Sequence, residues 1–436
     1  MSTSNTRISS DLGSVLDKIV DFVLRENRIV KKIYKDPQYN DEPKIFNYGI
    51  RYKATRTDNL NIASGFSFDR DLALIRALGE ALERYSLETY IPYISTIGSI
   101  AKIEKLGEFL NPLDISPFLT KQLEQKKNHR FLIKKNSNFS WTKATLYNYN
   151  KEILLPAQLV SFNYSLINRE PRILPINSTG TAFDTTFEGA FYRALCELIE
   201  RDAFMISYLN KLPSPKINLK SLNSKNVNKI LDILERYKLE VYVLDLATDL
   251  KIPAFGAVII DKTGLGPAVS IGLKAGWEIE NCITGSIEEA LMTRSWIRDK
   301  FGYIKAAYKE SEDIETIEQR AFLWFSTKMI GKLDFWLKNK KTINISKNKT
   351  IENKLEKTLK ILLENNMNII YKNITPMNIK NGGFFVIRAI IPQLQPLYLN
   401  EKYKFLGKER LYDVPYKLGF RRKKAVDLNK VPHPFL

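Results

Sequence analysis

The apolar positions of this chain fall into a few clear periods. In LGSVLDKIVDFVLREN, Leu12, Val15, Ile19, Phe22 and Val23 share one face at helical spacing, which predicts an amphipathic helix packed on the body of the protein. Leu72, Ile75, Leu78 and Leu82 make a second helical stripe. Short β-like runs follow, EILLPAQLVSF among them, broken by Pro and Asn. SLNSKNVNKILDILERYKLEVYVLDL reads as a helix feeding a β-branched strand, IPAFGAVIID as the neighbouring strand, and GGFFVIRAIIP as a buried strand. Helices and strands mix without strict alternation, so the expected class is α+β rather than a doubly wound sheet. No Ser/Gly/Pro-rich linker divides the chain, which predicts one large domain over residues 56–436 behind an N-terminal helical extension over 1–55.

One string occurs twice. ALGEALERYS (Ala77 to Ser86) and ALCELIERDA (Ala194 to Ala203) both read Ala-Leu-x-Glu-x-x-Glu-Arg, at a separation far beyond any stacked solenoid repeat. Residues three apart share a helix face, so Glu80 with Glu83, and Glu197 with Glu200, form carboxylate pairs. At helical period Glu83 lies about 20° from Leu72, at the edge of the apolar stripe, which is a poor place for a solvated glutamate. Two such helices packed about a pseudo-two-fold would gather four carboxylates, a costly arrangement unless cations neutralise it. Hard oxygen ligands select Mg²⁺, usually together with phosphates, and Arg84 and Arg201 offer phosphate-matching forks.

Composition narrows the chemistry further. Two cysteines and two histidines in 436 residues supply neither a disulfide framework nor a zinc site, so any metal must sit on carboxylates. The formal charge of +19 suggests a polyanion partner, yet much of it lies in lysine-rich stretches such as Lys332 to Asn366, which read as solvated surface. Neither nucleic acid nor a membrane is expected as a partner: no apolar run is long enough to span a bilayer, and MSTSNTRISSDLG lacks a signal peptide's pattern, so the expected location is the cytoplasm. GLGPAVSIGLKAG is not a Walker loop and reads as turns between strands. NSTGTAFDTTFE could lend backbone N–H groups to phosphate, with Asn177 and Ser178 at its start. Within it, Thr185-x-x-Glu188 reads as a capping box, with a metal-site role for Glu188 as the alternative.

Over roughly residues 60–436 the chain resembles the YcaO family, through ALGEALER, NSTGTAFDTTFEGAFYRALCELIERDAF, VIRAIIPQLQPLYL, FLGKERLYDVPYKLGF and the ending DLNKVPHPFL. The ending resembles the proline-rich tail of the azoline-forming branch, the cyclodehydratases of thiazole/oxazole-modified microcins and streptolysin-type toxins. The resemblance implies Mg²⁺ ligands at Glu80, Glu83, Glu197 and Glu200, an ATP-phosphate contact at Arg201, and a further arginine at Arg298. The glutamate expected five residues before Arg298 falls on Thr293. At SGFSF, which begins with Ser64, many relatives carry Gly-Lys-Gly in the nucleotide pocket, and Gly189 stands where a glutamate is often found.

The implied reaction phosphorylates a backbone amide oxygen of a ribosomal precursor peptide after attack by a neighbouring Cys, Ser or Thr, with ATP and Mg²⁺ as cofactors. The substrate brings its own nucleophile, so no catalytic triad is needed. Pro432 and Pro434 enforce an extended tail that would present His433, Phe435 and Leu436 at the site as a proton-accepting strip. The implied partners are the precursor peptide, a peptide-binding protein related to ubiquitin-activating enzymes and a flavin-dependent azoline dehydrogenase, in a homo-oligomer or hetero-complex. Three other readings remain at this level: thioamide or amidine formation by the same activation, a noncatalytic scaffold subunit, and a basic nucleic-acid-binding protein.

Overall fold

The computed structural model describes residues 4–26, 28–53, 60–164, 170–175, 177–302, 305, 314–346 and 352–436. Three sheets and the helices between them form an α+β body. The first sheet joins β1 (Val30–Lys35), β2 (Phe46–Tyr52) and β3 (Asn61–Ser67) in that order, all antiparallel. The second runs β11-β10-β9-β8-β12: β8 (Lys216–Asn218), β9 (Leu239–Asp245), β10 (Ala254–Asp261), β11 (Val269–Ala275) and β12 (Thr342–Asn344). The third runs β4-β5-β13-β14-β7, with β6 (Lys151–Pro156) also paired to β5. Its strands are β4 (Thr96–Ser99), β5 (Asn138–Leu146), β7 (Thr181–Asp184), β13 (Ile370–Asn373) and β14 (Phe385–Ile390).

The helices that matter here are α1 (Ser4–Arg25), α2 (Arg70–Thr89), α3 (Phe187–Asn210), α4 (Lys225–Arg236), α5 (Ile279–Asp299), α6 (Ile317–Leu323), α7 (Lys354–Glu364) and α8 (Arg410–Lys417). The expected pairing of α4, β9 and β10 is present, with β10 antiparallel to β9. The stretch 1–55 holds more than a helix, since β1 and β2 lie in it and pair onward to β3. The expected boundary at 55/56 lies outside the described residues. Ile19, Phe22 and Val23 of α1 are buried with Ala77, Leu78, Ala81 and Leu82 of α2, so the amphipathic face seals one side of the first carboxylate helix.

α3 is the central element. Ala203 to Asn210 are buried all round, as an apolar, small-residue second half predicts. Asp69 caps α2 by accepting from Leu72 N. α3 is capped by Thr186, which accepts from Gly189 N, and not by Thr185. The expected Thr185–Glu188 capping box is therefore one residue out of register: Gly189 occupies the position three residues after the cap, and Glu188 is exposed in the first turn.

Three strand–helix units interlock. β3 leads into α2, β7 into α3 and β11 into α5, and each helix also packs on the strand of another unit: α2 on β7, α3 on β11, α5 on β3. The ring needs close backbone approach at two glycines. A Cβ on Gly65 would stand 2.1 Å from Ala77 N and 2.3 Å from Ala73 O, and one on Gly272 2.1 Å from Ser286 O and 2.4 Å from Ala290 N.

Candidate active site

Each unit ties one glutamate to its own strand. Ser64 N donates to Glu80 Oε2 at 3.0 Å, Gly180 N to Glu197 Oε2 at 2.9 Å, and Leu273 N to Glu289 Oε2 at 2.6 Å. The first two belong to the repeated string and repeat its local ion pair: Arg84 lies 3.5 Å from Glu80 and Arg201 3.5 Å from Glu197. Arg201 also holds Glu200 at 2.7 Å, and Glu200 is nearly closed to solvent. Glu83 makes no hydrogen bond or ion pair among the described residues.

The electrostatics are those of carboxylates held close together and partly withdrawn from water. Burial, reinforced by Glu197 and Glu80 against the relief from Arg84, pushes the Glu83 carboxyl up to about 8. Burial likewise takes Glu200 to about 7, with Arg201 and Lys274 opposing and Glu289 and Glu197 adding to the shift. Glu80 moves the same way for the same first cause. For Arg201, burial works against the charge, but Glu200, Glu197 and Glu289 outweigh it and hold the guanidinium more firmly protonated than usual. The cluster carries a standing demand for a cation.

Hard carboxylate oxygens in this density are the donors Mg²⁺ takes, so the residues fit that ion. Among the described residues, no three acidic, His or Cys side chains already converge as a ligand cage.

Two residues at the cluster escaped the sequence reading. Glu289 is the third unit's strand-tethered carboxylate; Arg294, five residues on, pairs with Glu42 and Asp261 instead of the cluster. Arg388 rises from β14; its Nε and Nη1 donate to Leu159 O, Thr179 O and Thr181 Oγ1. Burial lowers it to about 10, while Glu197 and Glu83 support its charge. A lone arginine inside the apolar run FFVIRAII was its signal in the sequence.

The structure distributes the remaining candidates differently. Arg298 pairs with Asp41 at 2.8 Å and Glu42 at 2.5 Å and lies over the Tyr39 ring, so it pins the Asp41–Glu42 loop to α5 rather than facing the carboxylates. Thr293 is buried. Glu188 stands nine residues before Glu197 on α3, about 14 Å along the axis, too far for both to ligate one ion. Ser64 offers its N–H to Glu80. Asn177 and Ser178 form the turn before Gly180, Asn177 Oδ1 accepting from Thr179 N and Ser178 O from Thr181 N. Asn177 also lines a shallow cleft with Arg388, Gln158, Leu159 and Phe162.

The tail is docked. Pro432 O accepts from Tyr208 OH at 3.1 Å and Trp324 Nε1 at 3.0 Å, and His433 O from Arg320 at 2.6 Å. Pro434 and Phe435 are buried, and the Arg201 guanidinium lies 4.3 Å from the Phe435 ring centre. Leu436 packs with Ile297 and Ala321. The tail thus reaches Arg201 through an aromatic face. His433, its one titratable side chain, instead bonds Tyr398 O.

The family description "YcaO cyclodehydratase, ATP- and Mg²⁺-binding" matches residues 64–395, well over half of the chain. The chain belongs to the YcaO family. Solved YcaO-fold neighbours agree on the architecture. A heterocyclase in complex with substrate and cofactor superposes with a TM-score of 0.77 at 20% identity over 96% of this chain and 57% of its own. The heterocyclase TruD gives 0.65 at 20% identity, covering 83% and 50%. YcaO from Methanopyrus kandleri, bound with AMPPCP and Mg²⁺, gives 0.60 at 15% identity, covering 88% and 91%. A curated relative, an uncharacterized protein from the tfuA 3′ region of Rhizobium leguminosarum bv. trifolii, is 34% identical over 87 residues, 19% of this chain and 21% of its own. The chain therefore spans about half the length of the first two heterocyclase structures and less of the curated relatives. Among the described residues no helix is long and apolar enough to cross a membrane.

Proposed function

We propose that this YcaO chain is an ATP-dependent peptide cyclodehydratase subunit, converting Cys, Ser or Thr of a ribosomal precursor peptide to thiazoline or oxazoline. The observation that carries the reading is the carboxylate set Glu80, Glu83, Glu197, Glu200 and Glu289, half-buried except for the buried Glu200, gathered by three interlocked units with Arg84, Arg201 and Arg388 beside it. ATP with Mg²⁺ would supply a phosphoryl group to the amide oxyanion and the charge that screens its transfer.

Within that scheme the protein's own residues position and desolvate. Glu80, Glu83, Glu197 and Glu200, joined by Glu289, hold Mg²⁺. Arg201 is fixed by Glu197 and Glu200 from one side and capped by Phe435 from the other, so its fork is pre-aimed and shielded from water. Pro432 and Pro434 keep the tail extended, which brings Phe435 to that position. Ser64, Asn177 and Ser178 shape the strand ends that tether Glu80 and Glu197. A microcin synthetase complex solved with pro-MccB17 bound, also a neighbour by fold, supports a peptide substrate and a multi-protein assembly. We assign the peptide-binding and azoline-oxidising tasks to separate proteins, one related to ubiquitin-activating enzymes and one flavin-dependent.

The test is incubation with Mg²⁺, ATP, candidate precursor and peptide-binding partner, following phosphate release and peptide mass together. Loss of one water per modified residue, coupled to phosphate release and abolished in Glu200→Gln, supports the reading. Release that becomes productive only with added sulfide or ammonia moves the activity to thioamide or amidine formation, and no turnover with any nucleophile leaves a scaffold.

A further inference from the structure

The end of α8 and the chain after it set exposed apolar side chains among cations. α8 stops at Gly419, whose φ of +87° suits glycine, and two backbone bonds lock the turn: Gly419 N donates to Tyr416 O and Phe420 N to Pro415 O, both at 2.9 Å. The segment is a built turn rather than a frayed end. It presents Tyr416, Leu418 and Phe420 to solvent with Val426 beyond them, Tyr416 being 69% and Val426 72% exposed.

Leu418 and Phe420 also line an open cavity of about 410 Å³. Its apolar wall comes from Ala203 and Ile206 of α3 and from Leu212 and Leu246, all buried. The polar groups around it are committed to the protein itself. Ser207 and Ser214 share a hydrogen bond of 2.8 Å, and Ser207 Oγ accepts from Trp336 Nε1. Asn339 Nδ2 donates to Pro213 O and Ser214 O, and Asp245 accepts from Ala247 N while Lys341 supports its charge. A cavity lined in this way suits an apolar side chain.

The surface beside it is rich in positive charge. Lys417 holds Asp249 at 2.9 Å and Arg422 holds Asp413 at 2.6 Å, but Lys211 and Arg421 make no ion pair among the described residues. Lys423 donates to Asn210 O; burial first, and then Lys211, disfavour its charge, with Asp427 opposing. Cations crowded in this way are relieved by an anionic partner.

We propose that this face docks an acidic segment of a partner protein, one large apolar side chain of which enters the cavity while its carboxylates meet Lys211, Arg421, Lys423 and Lys424. An apolar anchor in a pocket with a charged rim is the arrangement of an interface hot spot. A nucleic acid or an anionic lipid surface would meet the cations and leave the cavity unused. Docking here does not depend on the nucleotide reading, since the cavity's α3 residues lie one to two turns beyond Glu200 in the C-terminal half of that helix.

The experiment is fluorescence anisotropy of the full chain with labelled peptides: one of Asp and Glu around a central Trp, the same peptide with Ala for Trp, and a third with Lys for every acid. A single-stranded oligonucleotide and phosphatidylserine vesicles are the polyanion probes, and Phe420→Ala and Arg421→Glu are the variants. Neither side chain belongs to the buried core, so Tm should hold and serves as the folding control. The peptide exchange of Trp for Ala tests the anchor without altering the protein at all. The expected result is binding of the acidic Trp peptide, about tenfold weaker for the Ala peptide and in Phe420→Ala, about fivefold weaker in Arg421→Glu, and none for the Lys peptide. No binding of the acidic Trp peptide at about 1 mM overturns the inference, as does equal affinity for the Trp and Ala peptides. Tighter binding of the oligonucleotide or the vesicles, unchanged in Phe420→Ala, also overturns it and assigns the face to a polyanion instead.

Discussion

At the scale of single residues, the cluster is a strained store of charge, and its titration follows. Glu83 and Glu200, at about 8 and about 7, hold protons that the unfolded chain releases near 4.5. Between those limits the folded state binds more protons than the unfolded one, so stability of the ligand-free protein falls as pH rises from about 5 to 8. Mg²⁺ with ATP requires the ionised forms, so the Tm increase it produces should grow over the same window, which thermal scans with and without Mg²⁺–ATP will read. Glu200→Gln removes one buried charge while keeping shape and one hydrogen-bond acceptor for Arg201. It should raise the Tm of the ligand-free protein at pH 8, corresponding to about 1 kcal/mol or more, while turnover disappears. A variant that loses both Tm and turnover would show instead that the Arg201–Glu200 pair holds the fold.

At the scale of elements, the site depends on how closely helices lie on strands. Adding a Cβ at Gly65 or Gly272 would force backbone against backbone, at a cost of about 2–3 kcal/mol, and would move the strand that tethers Glu80 or Glu289. Gly13 of α1 faces open space, so Gly13→Ala should be neutral or stabilise by about 0.5 kcal/mol. Denaturant midpoints of the three alanine variants, with Mg²⁺–ATP affinity alongside, check this contrast; equal effects at all three positions would overturn it. The same elements show what the sequence could disclose. A repeated Glu-x-x-Glu-Arg string with its apolar stripe made α2 and α3 readable, because helical period is a local property. The α5 helix is reached only through the resemblance, at Thr293 and Arg298, and the role of Glu289 is not legible, because its unit shares the strand tether and the glycine contact but not the arginine string, and those are relations between elements. Arg388 is of the same kind: its place in β14 is legible, and its approach to Glu83 and Glu197 is made only by sheet pairing with β7.

At the scale of the molecule, the last residues close the site. Asn429 to Leu436 lie across α3 and α6, fastened by Tyr208, Trp324 and the fully buried Arg320, which also holds Glu401 at 2.8 Å and Leu399 O. His433 is the weak point of this fastening. Its Nε2 donates to Tyr398 O at 2.6 Å, its Nδ1 is buried without a partner, and Phe204, Tyr208 and Tyr398 surround the ring. Burial first, and then the neighbouring Arg320, hold its pKa well below 6.5. A neutral histidine in the docked state against an ordinary one in the released state makes docking fully stable above about pH 6.5 and progressively weaker as pH falls below it. Acidification should therefore free the tail before the body unfolds, uncapping Arg201 as Phe435 leaves. Proteolysis near the tail and Trp324 emission, followed from pH 7.5 down to 5, should change together in the native protein, with far-ultraviolet dichroism constant. His433→Gln, which can still donate to Tyr398 O but does not titrate, should flatten both profiles. A tail equally resistant at pH 5 and 7.5 would mean that Arg320, Tyr208 and Trp324 suffice to hold it, and that His433 only fills space.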